Sequence, residues 1–230
     1  MAEFESDFWH PKVATDIVLL TIREKKLNIL LVKRKEGKEG LWALPGGYIN
    51  KGENLETCAR RELREEAGIE VPHLEYFKVY SEPERDYRHQ TISHAFIAIH
   101  PSGKLRLKAD TDVSDVNWFE VNNVPSLEFD HNQICSDGIK HARALIEDKP
   151  RLAFAFLSDN FTFTELRETY ETLGGSKYSE SNKRNFQLWL KKYGGGAGLI
   201  VETGQTRRGS HRPAKLFVLN TELLRRLDTE

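Results

Sequence analysis

The chain has 230 residues, 39% hydrophobic and 30% charged, with a net charge of −1, which is enough apolar material for one large or two modest packed domains. No apolar run approaches the roughly 18 residues of a membrane span, and the acidic start at Met1-Ala2-Glu3 lacks the apolar stretch of a signal peptide. The two cysteines, Cys58 and Cys135, have no zinc or redox spacing, so a cytoplasmic protein is expected.

In chain order, residues 15–22 and 28–32 read as buried strands flanking a polar turn at Lys25-Lys26. Trp42 to Gly47 ends in two glycines, where backbone can bend or approach a ligand. A helix is expected over 54–67, free of Pro and Gly and rich in Glu, Leu, Ala and Arg. Leu55, Ala59 and Leu63 mark its inward face, and Gly68 is expected to cap its C-terminus. Cys58 falls on the same side, as packing. Glu62, Glu65 and Glu66, at i, i+3 and i+4, share a side, and Glu62 and Glu66 point close to the direction of Leu55. Carboxylates gathered near a buried face are costly unless a cation or an Arg compensates them. Mg2+ suits that role, since it takes oxygen ligands and shares itself with substrate phosphates. A solvated Glu/Arg face is the alternative.

Further strands are expected over 74–80, 91–99 and 116–119, then a helix over 130–148 with Ile134, Ile139, Ala142 and Leu145 as its apolar face. Lys149-Pro150 marks a boundary between a first domain, 1–149, and a second, 150–230. Thr162 with Glu165 three residues on reads as a capping box. Leu166, Tyr170 and Leu173 form the stripe of the helix it opens, and Gly174-Gly175 end it. A second helix is expected over 182–193, with Phe186, Trp189, Leu190 and Tyr193 inward and Arg184, Gln187 and Lys191 on the opposite side. A strand over 199–202, a basic loop over 204–213 and a strand over 215–219 complete the order of a winged helix. From 177 to 215 there are nine Lys or Arg and two acids, whereas the rest of the chain is acidic. That asymmetry points to two jobs, with a polyanion as one partner for the basic part. In a helix-turn-helix the second helix enters the major groove, where Arg184 and Gln187 are types that read guanine and adenine edges. Arg207, Arg208, His211 and Arg212 fall in the wing, suited to phosphate or minor-groove contact. A solubilising surface on a dimerising domain is the alternative.

Residues 47–69, GYINKGENLETCARRELREEAGI, fit G-x5-E-x7-R-E-U-x-E-E-x-G-U, where U is a bulky aliphatic, without a departure. Seven of those positions demand one residue type: Gly47, Glu53, Arg61, Glu62, Glu65, Glu66 and Gly68. The stretch resembles the Nudix box of the Nudix (MutT-type) hydrolases, which cleave nucleoside diphosphates linked to another group using Mg2+ or Mn2+. The resemblance implies an α/β/α sandwich around a mixed sheet. It also implies metal ligation by Glu62, Glu65, Glu66 and the Gly46 carbonyl, with Arg61 orienting Glu62 and Glu53 supporting the loop–helix junction. It leaves the general base open between a box glutamate and the loop of Asp110, Asp112 and Asp115.

The segment PERDYRHQTIS, 83–93, resembles the stretch after the box in ADP-ribose-type Nudix hydrolases, which offers Arg85 and Arg88 to a diphosphate, with Arg34 a further candidate. Phe8, Trp9 and Trp42 are candidates to stack on adenine, with core packing the alternative for each. The runs FTFTELRETYETL, KRNFQLWL and RRGSHRPAKLFVL, with VNWF and FDH in the first domain, are similar to the Nudix-related transcriptional regulators. That likeness implies a homodimer that senses ADP-ribose or a related nucleotide and binds operator DNA at genes of NAD or sugar metabolism. In many such regulators the box has decayed, whereas here every catalytic position is present. The alternative is a Mg-dependent ADP-ribose pyrophosphatase without a DNA-binding role. An RNA-end processing enzyme is a third reading, disfavoured by the lack of an extended basic surface in the first domain.

Overall fold

The computed structural model describes residues 10–34, 41–101, 113–174, 186, 198–208 and 213–221. A long hairpin, β1 (Lys12–Arg23) and β2 (Lys26–Arg34), forms the middle of the main sheet. Its turn is Glu24-Lys25, one residue earlier than the sequence suggests, and Lys26 already pairs with Arg23. Both turn residues have positive φ, 50° and 61°, the geometry of a two-residue turn whose twist matches that of the strands.

β3 (Gly46–Tyr48) pairs with β1, and α1 (Leu55–Ala67) follows. β4 (His73–Tyr80), β5 (Thr91–Ile99) and β6 (Val113–Glu120) complete a sheet of order β4-β5-β1-β2-β6. β5 runs parallel to β1 and the other pairings are antiparallel, so the sheet is mixed, as expected. Alternation along the strands sends side chains to opposite faces. Ile17, Leu19, Leu30 and Val32 meet Ala59, Leu63 and Ala67 of α1. Val18, Leu20, Ile29 and Leu31 form the other core with Ile134, Ala142 and Ile146 of α2 (His131–Asp148). The buried face of α2 is Ile134, Cys135, Gly138, Ala142 and Ile146, with Ile139 and Leu145 only half-buried at its sides.

α2 stops at Asp148, and Pro150 opens a 3-10 helix (Pro150–Phe156), where Pro fits because a first-turn N–H has no partner. β7 (Phe161–Thr162), α3 (Phe163–Gly174), β8 (Ile200–Arg207) and β9 (Ala214–Leu219) follow, with strand order β7-β9-β8. The capping box at α3 is reciprocal: Glu165 N–H donates to Thr162 Oγ1 (3.1 Å) and Thr162 N–H to Glu165 Oε2 (2.7 Å). The expected helix over 182–193 lies outside the described residues except for Phe186, which is helical and buried against Phe163 and Tyr170.

One continuous apolar cluster joins α2 to Ala153, Phe154 and Phe156 and on to Leu166, Tyr170 and Phe186. The hairpin turn adds a polar tie, with Lys25 Nζ 2.8 Å from Glu168 Oε1 and Thr172 Oγ1 donating to the Lys25 carbonyl at 3.2 Å.

Candidate active site

Asn54 caps α1, its side chain accepting from Thr57 N–H at 2.8 Å, and Gly68 at φ 67° closes it with its N–H on the Arg64 carbonyl. This fixes the rotation of the helix. Glu62 and Glu66 are buried beside the apolar face, whereas Glu65 is exposed and reaches back to Arg61. Arg61 is the hub. It donates to Glu53 (2.6 and 3.1 Å), Glu62 (2.7 Å), Glu65 (2.9 Å) and the Tyr48 carbonyl (3.0 Å). Glu53 also accepts from Asn50 N–H at 2.8 Å, and its bonds to Arg61 hold its carboxyl down at about 2.

Gly46 and Gly47 bring backbone against these acids. Gly46 lies at φ 152°, and a Cβ there would stand 2.0 Å from the Thr15 carbonyl oxygen. A Cβ on Gly47 would stand 2.2 Å from Glu62 Oε1. Only glycine fits at 46, where the clash is with backbone, whereas a side chain at 47 would displace the tip of Glu62. Glu66 Oε2 accepts from Gly46 N–H at 2.8 Å. Burial pushes the Glu66 carboxyl up to about 8 despite the Arg34 charge and this bond, and burial also raises Glu62.

Arg34 donates to the Gly46 carbonyl and stands 3.8 Å from Glu66 Oε1. A protein cation therefore serves two of the groups assigned to a metal from the sequence. Among the described residues no three acidic, His or Cys side chains are gathered as a ready cage, because Arg61 and the Gly46 amide hold the carboxylates. The donor set still fits a hard divalent ion: oxygen atoms, buried negative charge in need of compensation, and a cation-sized place that a guanidinium now fills.

A chamber of about 50 Å3 opens beside this corner, lined by Asp16, Arg34, Gly46, Arg85, Arg88 and Phe129 among others. Arg85 is placed differently from its expected role as a free diphosphate partner. Its guanidinium is buried and bonded to Asp16 (2.9 Å) and, by two bonds, to Asp130 (2.7 and 3.0 Å). Two acids that sequence reading missed have claimed it. Asp16 also accepts from Ser93 Oγ at 2.6 Å and faces His131 Nε2 at 3.3 Å, while Leu44 N–H donates to His131 Nδ1. Burial raises Asp16, but His131, Arg85 and Ser93 together hold it well below the usual carboxylate range. The available signal was an acid inside the apolar strand TDIVLLTI. Arg88 is exposed, bidentate on Asp86 (2.9 and 2.8 Å) and 4.7 Å from the Phe129 ring centre. Trp42 packs edge-on to Phe119 against the core rather than standing as a stacking surface.

Arg207 is not in a loop: β8 runs to it, bulged between Glu202 and Thr206 around Gly204 at φ 75°. It donates to Glu165 Oε1 (2.6 Å) and the Asn160 carbonyl (2.8 Å), tying the wing to the start of α3. Arg208 is exposed beyond the strand. Arg184, Gln187, Lys191, His211 and Arg212 lie outside the described residues, as do Phe8, Trp9, Asp110 and Asp112.

Residues 10–137 match the family model described as the NUDIX domain, and residues 153–219 match the NrtR DNA-binding winged helix domain. An ADP-ribose pyrophosphatase of Methanocaldococcus jannaschii is 40% identical over 131 residues, covering 56% of this chain and 74% of that protein. The ADPR responsive transcriptional repressor NtrR of Acinetobacter baylyi is 27% identical over 226 residues, covering 94% and 86%. The crystal structure of Shewanella oneidensis NrtR complexed with a 27mer DNA superposes with a TM-score of 0.73 at 27% identity, covering 92% and 94%.

Proposed function

The chain belongs to the Nudix family, with a winged helix of the NrtR type, and on that footing we propose that it is a ligand-responsive DNA-binding regulator whose Nudix half binds and hydrolyses ADP-ribose or a related nucleoside diphosphate derivative. The observation that carries this reading is the single corner that Arg34 and Arg88 both line, with Arg34 standing 3.8 Å from the buried carboxylate of Glu66. That corner offers cations to a diphosphate and oxygen ligands to a metal. A relative named as a repressor that aligns over nearly the whole chain supports the joint role.

In the proposed reaction, water attacks one phosphorus, the bond to the bridging oxygen breaks, and ADP-ribose gives AMP and ribose 5-phosphate. Arg34 and Arg88 receive phosphate oxygens. Arg61 holds Glu62 and Glu65 in place through its bonds to both, and Glu53 anchors Arg61. Glu62, Glu65, Glu66 and the Gly46 carbonyl would hold Mg2+ or Mn2+, which would supply charge neutralisation and make the attacking water more acidic. Arg85 serves the site through Asp16 and Asp130 rather than by touching phosphate. DNA is bound by a homodimer through Arg184, Gln187 and Lys191 of the segment expected from the sequence as recognition helix, and through Arg208 and Arg212 of the segment expected as wing, at genes of NAD or sugar metabolism. We assign 1–149 to the nucleotide half and 150–230 to the DNA half.

The test has two arms. The pure protein with ADP-ribose and Mg2+ should release AMP, and Glu66→Gln should not. Promoter DNA of the protein's own gene should be retarded in a gel, and ADP-ribose should change the retardation. AMP release without DNA retardation favours the second reading, a pyrophosphatase with no DNA-binding role, which the 40% identical relative supports for the Nudix half alone. Neither AMP nor ADP-ribose binding would overturn both readings.

A further inference from the structure

The chamber beside Glu66 holds about 50 Å3, whereas sites for ligands of nucleotide size run from about 300 Å3 upward. A nucleoside diphosphate derivative that puts its phosphates there must lay most of its bulk elsewhere. An open groove of about 330 Å3 adjoins the chamber and shares Arg85 and Phe129 with it. Leu41, Glu84, Tyr87, Leu127 and Glu128 line the rest of that groove with Asp130. Its charge balance differs from the chamber's, where the arginines Arg34, Arg85 and Arg88 outnumber the acids Asp16 and Asp86. Arg34 and Arg88 face the chamber. In the groove, carboxylates predominate, and the shared Arg85 is already bonded to Asp16 and Asp130. Phosphate is repelled from such a wall, and a neutral, flat group with N–H donors is accepted.

Tyr87 supplies the surface for that group. Its ring stacks on Phe129, with centroids 5.7 Å apart and planes at 23°, and its hydroxyl donates to Glu128 Oε1 at 2.9 Å. These two ties fix the ring, yet the residue is 55% exposed. An aromatic side chain held this way presents its outer area with little conformational entropy left to lose on binding. Phe129 is itself held at φ 55°, a conformation that bulky residues rarely adopt and that clusters at ligand sites. From these we propose that the nucleobase of the ligand stacks on Tyr87 in this groove, so that the ligand lies phosphates inward and base outward across Phe129. The inference rests on the nucleotide reading above.

The experiment is calorimetric titration of the full chain with ADP-ribose and, separately, with inorganic pyrophosphate, which has phosphates but no base. Tyr87→Leu should weaken ADP-ribose by about tenfold, the scale of one base–aromatic stack, while pyrophosphate changes far less. Tyr87→Trp, which keeps the stacking face, should retain most of the ADP-ribose affinity. Unchanged ADP-ribose affinity in Tyr87→Leu overturns the inference and leaves the chamber reading intact. Equal loss for both ligands, or loss in Tyr87→Trp as large as in Tyr87→Leu, also overturns it, because Tyr87 then acts on the fold and not on the base. If the wild-type chain binds neither ligand, the nucleotide reading falls and takes this inference with it.

Discussion

Replacing Arg85 by Met separates a structural counter-ion from a ligand contact. The Arg85 side chain is 4% exposed, and its partners Asp16 and Asp130 are 9% and 24% exposed. Removing one partner of a buried ion pair costs about 3–5 kcal/mol, because the other charge stays buried. Asp16 would keep Ser93 Oγ at 2.6 Å and His131 Nε2 at 3.3 Å, and Asp130 is partly in water, so the lower end, about 3 kcal/mol, is expected. For a chain of this length that is a fall in Tm of roughly 6–12 °C, read by circular dichroism during heating. Combining Arg85→Met with Asp16→Asn removes the buried charge as well, so the double variant should lose at least about 1 kcal/mol less than the sum of the singles. An Arg85→Met protein melting within about 2 °C of wild type but failing to bind ADP-ribose would refute the reasoning and return Arg85 to the ligand.

Gly47→Ala should cut turnover by on the order of a hundredfold while the protein stays folded, because the new Cβ meets only the tip of Glu62, at 2.2 Å, and displaces it. Gly46→Ala should instead fail to give a stable fold, since its Cβ meets the Thr15 backbone; equal melting of the two variants would contradict this contrast. Thr162→Ala removes the cap of α3 and should cost about 1 kcal/mol, a drop of about 2–4 °C in Tm, whereas no change would mean that Glu165 and Arg207 hold the helix start without it. Burial raises Asp86, but its bonds to Arg88 and Tyr48 win and hold it at about 2, below its ordinary 3.8. Its contribution to stability is therefore complete above 3.8 and lost as the pH falls toward 2. In urea titrations, the gap between wild type and Asp86→Asn should be full at about pH 7 and roughly halved at about pH 3, and a constant gap would remove Asp86 from the account.

The box was legible because its residues sit within one helix and the turn before it, where spacing alone fixes which side chains share a face. Both cores of the sheet were legible for the same reason, from strand alternation. Glu65 shares that helix side as its spacing implies, and its bond to Arg61, itself bonded to Glu62, was the part that spacing did not show. The chamber wall was illegible because its bonds join residues 69, 77 and 45 positions apart, and local pattern carries no such information. β3 has three residues, two of them glycine, too few to show a period. The rotation of α2 was off by a fraction of a turn, since Gly138, with its missing side chain against Val18, looks like a gap in an apolar stripe when it is the point of closest packing.

The apolar cluster that runs from α2 through Phe154 and Phe156 to Tyr170 and Phe186 also bears on how this chain can change over time. A winged helix lifted from another protein and attached after residue 149 would meet a raw oily face shaped for Phe154 and Leu166, and it would need a matching set of ring positions to seat. The two halves are thus packed as a matched pair. A substitution at the seam, in Ala142, Ile146 or Ala153, would be felt by whatever grips the nucleotide and by whatever grips the DNA.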